Sequence, residues 1–379
     1  MLNPAELDKL TILRKTFHAH PEVSGSEFET QKRILTFLDG QSNAGVKKVG
    51  KTGVLVTFEG EEQGPTIMIR GDIDALPIAE INTFTHKSTS EGVSHKCGHD
   101  GHTTILLGLA KTLSNEPIAK GRVLLLFQPA EENGMGAEAV LNDDNFQKEK
   151  IDYVFALHNL PAFKAHQVVV KENEFTGNVK SIILKMTGKT AHAAEPEQED
   201  NPSMAISKIL AFADKITHNK PEEANFFLMT PIHATLGDLA YGISAGYGEV
   251  HFTIRSWDTN LMFKRSEEIV AFMEENCAKY NLKSDISWTQ VFHANNNHPE
   301  AVDFIRNAAR KNNLSLNERE YPFRWGEDFG LFTQKYKGAM FGLGAGISIP
   351  ALHNPDYDFP DEITETGIRM FHQIIQEIL

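Results

Sequence analysis

The feature that most limits the fold is an alternation of short, continuously apolar runs with amphipathic stretches through the first 160 residues. Apolar runs bounded by turn residues read as strands buried on both faces, and longer periodic stretches read as covering helices. GVLVTFEG (53–60), TIMIRGD (66–72), RVLLLFQPAEE (122–132) and YVFALHN (153–159) are predicted strands, and GHTTILLGLAKTL (101–113) is a predicted helix. The series predicts an α/β domain, a doubly wound and mostly parallel sheet with helices on both faces. Near residue 174 the pattern changes. VKSIILKMTG, NPSMAISKILAFADKI, ANFFLMTPIHATLG, GEVHFTIRSWD, a helix around SEEIVAFMEENCAKY and SDISWTQVF follow in order. Strand–helix–strand–strand–helix–strand is the order of a ferredoxin-like α+β module. From about 292 the α/β pattern returns, with a helix at HPEAVDFIRNAARK, a strand at GAMFGLG and a helix at ETGIRMFHQIIQEIL. The chain therefore reads as a discontinuous main domain, 1–173 and 291–379, interrupted by an inserted domain at 174–290.

Charge and cysteine usage narrow the setting. The chain carries 51 acidic against 37 basic residues, a formal net charge of −14. Binding to a phosphate backbone needs clustered Lys and Arg, so a nucleic-acid partner is excluded. No stretch approaches the roughly 18 uninterrupted apolar residues of a membrane span. The start, MLNPAELDKLTILRKTFHAHPE, is charged and helical in pattern, without the basic and apolar regions of an export signal. Cys97 and Cys277 are too few and too isolated for a disulfide framework. Cys277 falls on the apolar face of its helix and is predicted to be core. The reading is a soluble, cytoplasmic protein.

In open α/β sheets, ligands bind beyond the carboxyl ends of the strands. TIMIR runs into Gly71-Asp72-Ile73-Asp74, VLLLFQPA into Glu131-Glu132, and YVFAL into His158-Asn159. SHKCGHDGHTT (94–104) packs three histidines, a cysteine and an aspartate into eleven residues, and ALHNPDYDF places His353 after a glycine-rich segment. Each piece alone has a bland explanation. A His before an Asn is usually a turn residue, a Glu pair at a strand end a solvated helix start, and a Cys at a helix N-terminus inert. Their coincidence at one rim predicts a metal site. Structural zinc sites close with four Cys or His ligands at short spacing, whereas carboxylate, imidazole and thiolate on separate loops suit a catalytic centre with open positions. More than four candidate ligands predict two divalent ions sharing a water. The doubled Glu then supplies one ligand and one free base. A Cys97 nucleophile with His99 or His102 as its base would leave Glu131, Glu132, His158 and His353 unexplained. GLGAG (342–346) lacks a nucleotide-loop fingerprint and is predicted to be a plain turn.

Taken together, HAHPEVSGSEFET, RGDIDALPI, HKCGHDGHT, QPAEENGMGA, ALHNLP, GKTAHAAEP, RWGEDFG and LHNPDYDF resemble, in order and across the whole chain, the co-catalytic metallopeptidase family of aminoacylase and carboxypeptidase G. The most similar subgroup contains hippurate hydrolase, auxin-conjugate hydrolases and N-acetyl-diaminopimelate deacetylase. The resemblance implies Cys97, His99, Glu132, His158 and His353 as ligands of two divalent metals; zinc, manganese, cobalt and nickel are all compatible. It implies Glu131 as general base, and Asp72 and Asp74 as carboxylates that orient the ligands. Asp100 and His102 are read as further support and His95 as a bystander. His192 matches a histidine that reaches an active site, in several relatives that of the partner subunit, and stabilises the oxyanion. Arg255 matches an arginine associated with the substrate carboxylate. The implied protein is a homodimer hydrolysing the amide bond of an N-acyl amino acid. A dipeptidase or aminobenzoyl-glutamate hydrolase with the same centre is the alternative, and a non-catalytic metal-binding homologue the remote one. One position departs. Relatives usually carry an Asn thirteen residues before the arginine, where this chain has Gly242, so a polar group facing the substrate is missing.

Overall fold

The computed structural model describes residues 2–39 and 44–379, and the chain divides into two compact units. One unit comprises Met1–Phe175, Asn295–Glu320 and Glu327–Leu379; the other comprises Thr176–Ala294 and Tyr321–Gly326. The first opens with α1 (Pro4–Ala19), α2 (Phe28–Leu38), β1 (Ala44–Val49), β2 (Gly53–Glu59), β3 (Glu62–Asp72) and α3 (His99–Asn115). It continues with β4 (Lys120–Gln128), α4 (Gly136–Leu141), α5 (Asp144–Gln147), β5 (Tyr153–Pro161), β6 (Val168–Val170) and β7 (Asn173–Thr176). The second unit holds β8 (Asn178–Thr187), α6 (Ser203–Ile216), β9 (Phe227–Leu236), β10 (Tyr247–Ser256), α7 (Thr259–Lys279) and β11 (Lys283–Phe292). The first unit then resumes with β12 (Asn295–Asn297), α8 (Pro299–Lys311), β13 (Leu316–Glu318), α9 (Gly330–Lys335), β14 (Lys337–Gly346) and α10 (Thr364–Ile378).

The large sheet runs β1-β2-β4-β3-β5-β14-β6-β13. Its centre is parallel, from β4 through β3 and β5 to β14, so four carboxyl ends point one way. β1 and β2 join antiparallel at one side, and β6 is antiparallel to β14 at the other. Val123 to Phe127 of β4 are completely buried, the continuous apolar run of a strand covered on both faces. α3 packs against α1 and α10 as well as the sheet, so it is apolar on nearly every side.

In the second unit the order is β11-β8-β10-β9 with every pairing antiparallel. Residues of β10 alternate between buried and partly exposed, and Val250, Phe252 and Ile254 pack with Ile209 of α6 and Ile269, Met273 and Cys277 of α7. Cys277 is core, as its place in the helix pattern predicts. No helix among the described residues is long and apolar enough to cross a membrane.

One local expectation is corrected. GLGAG is the carboxyl half of β14, not a turn. Its glycines serve close packing: a Cβ on Gly342 would stand 2.1 Å from Leu160 Cδ1, and one on Gly344 1.9 Å from the Lys164 carbonyl oxygen. His158 and Asn159 lie within β5, as the predicted strand YVFALHN has them, and the strand continues two residues further to Pro161.

Candidate metal centre

The carboxyl ends of the parallel strands place the acidic residues. β3 ends at Asp72, and Asp74 follows it; both are completely buried. Beyond β4, Ala130 takes a positive φ of 53° and turns the chain so that Glu131 and Glu132 face inward. Gly98, at φ 91°, begins α3 in a conformation open to glycine. Its backbone lies so near Asn159 that a Cβ would fall 2.7 Å from that amide oxygen. This approach sets Cys97 and His99 on either side of the turn.

The expected ligands meet. Cys97 Sγ is 3.6 Å from His158 Nε2, and His99 Nε2 is 3.7 Å from Glu132 Oε1. His353 Nε2 is 3.7 Å from the other Glu132 oxygen, and Glu131 Oε2 is 3.9 Å from His99 Nε2. Among the described residues, Cys97–His99–His158, Cys97–Glu132–His353 and His99–Glu131–Glu132 each offer ligand atoms within 4.8 Å of one another. The ring nitrogens are already sorted. His99 Nδ1 bonds the Asp74 carbonyl at 3.0 Å, with the Asp74 carboxylate at 3.2 Å, while His158 Nδ1 bonds the Asn159 carbonyl at 2.9 Å. Each Nε2 lone pair is thereby directed inward. Buried His99 Nε2 and Glu132 Oε1 have no hydrogen-bond partner. Such atoms cost about 1–3 kcal/mol each when nothing occupies them. A soft thiol, imidazoles and carboxylates with inward lone pairs fit divalent ions of the first transition row.

The electrostatics agree with that fit. Burial, then Glu327, Glu132 and Asp328, push the Glu131 carboxyl well above its usual range. Burial and the two glutamates likewise raise the Cys97 thiol. Burial would lower His99, but Asp72 and the Asp74 bond raise it to about 10. All three shifts express one condition, a buried pocket short of positive charge, which bound cations relieve.

The supporting carboxylates divide their work. Asp74 holds His99 at Nδ1 and accepts from the Glu132 backbone N–H at 3.0 Å. Asp72 instead bonds His102 Nδ1 at 2.6 Å, and His102 Nε2 accepts from Asn159 N–H at 3.3 Å. Both nitrogens of His102 are engaged, so it braces β5. Asp100 faces elsewhere than expected. Successive helix residues point about 100° apart, so with His99 turned inward Asp100 turns to α1. There it accepts from His18 Nδ1 at 2.8 Å and Arg14 Nη1 at 3.3 Å. His95 is buried with no hydrogen bond to either ring nitrogen.

His18 also bonds Glu80 through Nε2 at 3.0 Å. Burial lowers its pKa, but the bonds to Asp100 and Glu80 win and raise it from 6.5 to about 9. A raised folded-state value means that the stabilisation is complete below the unfolded pKa and disappears as pH rises through 9. Urea unfolding should therefore show wild type losing on the order of 3 kcal/mol between about pH 6.5 and 10 through this group. His18→Gln should lack that alkaline decline; an equal decline in both proteins would contradict the assignment.

Sequence reasoning missed the groups behind the glutamates. Fully buried Arg70 donates to Asp72 at 2.6 Å, Glu327 at 2.9 Å and Asp328 at 2.8 Å. The Asp328 backbone N–H donates to Glu131 Oε1 at 3.4 Å. A charged residue ending the apolar run TIMIR and the Glu-Asp pair in RWGEDFG were the available signals. His192 and Arg255 belong to the other unit. His192 is exposed, its Nδ1 accepting from Ala194 N–H at 3.1 Å, and Arg255 Nη1 donates to the Arg324 carbonyl at 2.9 Å. Gly242 is exposed, with open space where a side chain would begin.

Overlapping thiol, imidazole and carboxylate clusters at the carboxyl rim of an α/β sheet, each backed by a hydrogen-bonded partner, define a metal-dependent hydrolase. Residues 68–377 match the model of Peptidase family M20/M25/M40, and the chain belongs to that family. It is 32% identical to the N-acetyl-L-cysteine deacetylase of Bacillus subtilis (strain 168), over 90% of this chain and 82% of that one. It is 30% identical to the hippurate hydrolase of Campylobacter jejuni, over 93% and 91% respectively. The crystal structure of Bacillus subtilis YXEP protein, described as a dinuclear metal binding peptidase of the M20 family, superposes with a TM-score of 0.83 at 26% identity and 100% coverage of both chains. The protein is a metal-dependent amide hydrolase.

Proposed function

We propose that the protein hydrolyses the amide bond of N-acyl amino acids, with Cys97, His99, Glu132, His158 and His353 holding two divalent ions and Glu131 as general base. The observation that carries this reading is the pair of unpartnered buried atoms, His99 Nε2 and Glu132 Oε1, beside a carboxylate that the ligands do not need. The relatives that act on N-acetylcysteine and hippurate support the substrate class. When bound, the ions supply Lewis-acid polarisation of the carbonyl and acidify the attacking water. Glu131 Oε1 is held by the Asp328 N–H, and its other oxygen takes the proton from that water. The same carboxyl then returns the proton to the leaving amine. His192 accepts at Nδ1, so its proton sits on Nε2, where it can donate to an oxyanion. Arg255 has guanidinium donors beyond the one given to Arg324 for a substrate carboxylate.

In this proposal residues 1–173 and 291–379 form the catalytic domain and 174–290 a ferredoxin-like lid and dimerisation domain. The order β11-β8-β10-β9 with α6 and α7 on one face supports that topology. Leu239 and Tyr241, 88% and 92% exposed, and Ile243 form an apolar loop suited to a homodimer contact. Two free, buried cysteines suit a cytoplasmic location. Thiol and imidazole favour zinc, cobalt or nickel, and the carboxylates admit manganese. A panel of N-acetyl and N-benzoyl amino acids, each assayed with these four metals, should show turnover. Cleavage of free dipeptides with none of the acylated compounds would overturn the substrate assignment.

A further inference from the structure

The face of the β8–β11 sheet opposite its helix-packed core carries a second convergence of metal-ligating groups. Glu249 and His251 sit on β10, alternating with buried Val250 and Phe252, and His233 of β9 stands directly across from His251. The two rings are 5.0 Å apart. Glu249 presents one oxygen to each: Oε1 is 4.0 Å from His233 Nε2, and Oε2 is 3.7 Å from His251 Nε2. Neither is a hydrogen bond. His251 Nε2 is shielded from solvent and has no hydrogen-bond partner. The Tyr247 hydroxyl donates to Glu249 Oε2 at 3.2 Å, steadying the carboxylate.

The backbone is arranged for this meeting. The register from Ser256↔Phe227 to Phe252↔Pro231 would set Ile232 opposite His251 if it continued. A bulge intervenes between His251 and Phe252 and brings His233 there instead. Ile232, which the register skips, is 61% exposed. Bulges re-aim side chains in this way, and here the residue re-aimed is an imidazole.

We infer that His233, His251 and Glu249 form a separate site for one divalent transition-metal ion of the zinc type. Nitrogen and oxygen donors at about 2.0–2.2 Å from a tetrahedral ion lie roughly 3.3 Å apart. The observed 3.7 and 4.0 Å close to that with small rotations of partly exposed side chains. Two imidazoles and one carboxylate select zinc, nickel or copper over calcium or magnesium, which prefer all-oxygen shells. The ion fastens β9, an edge strand, to β10.

Equilibrium dialysis of the full-length protein against micromolar free Zn2+, followed by metal analysis, tests this. His233→Asn and His251→Asn should each hold one equivalent fewer per chain than wild type, whatever the content of the main centre. Equal content in wild type and both variants would overturn the site. Cadmium-113 NMR gives a second, spectroscopic readout, with a near-isosteric substitution that keeps the shape of the third side chain. A resonance that shifts when Glu249→Gln is introduced supports the site; a spectrum unchanged by that substitution counts against it.

Discussion

Glu131→Gln should retain its full metal content and lose about 10³-fold in kcat, within the 10²–10⁴ range of general acid–base catalysis. The amide keeps an oxygen for the Asp328 N–H, so the shape of the pocket is preserved while proton acceptance is lost. Glu132→Gln is the informative contrast. Glu132 approaches His99 with one oxygen and His353 with the other, so its loss should reduce metal content as well as turnover. Steady-state kinetics on an N-acyl amino acid, paired with metal analysis of the same samples, separates the two. A Glu131→Gln enzyme within a few-fold of wild type would move the base to another residue.

Arg70→Met should destabilise the first unit by about 3–5 kcal/mol, the usual result of stripping one partner from a fully buried ionic cluster. Asp72, Glu327 and Asp328 all accept from this one guanidinium, and all are buried. Without it they must take up protons or draw in water. Melting temperature should fall by on the order of 10 °C. Arg70→Lys should fall between, because an ammonium keeps the charge but cannot span three carboxylates with a rigid fork. Because Asp328 N–H donates to Glu131, the surviving fold of either variant should also turn over more slowly. A melting point unchanged by Arg70→Met would show that the cluster does not depend on this cation.

The buried strands and the inserted α+β series were legible because their signals are local. An apolar run such as VLLLF needs no partner to be read as a covered strand, and alternation in GEVHFTIRS needs none to be read as half-buried. The candidate ligands stood out for a related reason, since Cys, His and paired Glu at strand ends are chemically specific, and the structure gathers Cys97, His99, Glu132, His158 and His353 into overlapping groups. GLGAG misled because glycine signals either a turn or a close neighbour, and only the packing of Leu160 and Lys164 shows which. Asp100 misled because its chain neighbour His99 is in the site, yet one residue of helical rotation carries it to Arg14 and His18.

By itself, then, the sequence determined the order of strands and helices and that the chain is a metal-dependent hydrolase. Periodicity and residue type report what each segment must bury or bind. Only the tertiary structure decided which carboxylate serves which imidazole, that one arginine holds Asp72, Glu327 and Asp328 together, and that His233 meets His251. Those are contacts between residues far apart in the chain, and their energies depend on distances and burial that no local pattern encodes.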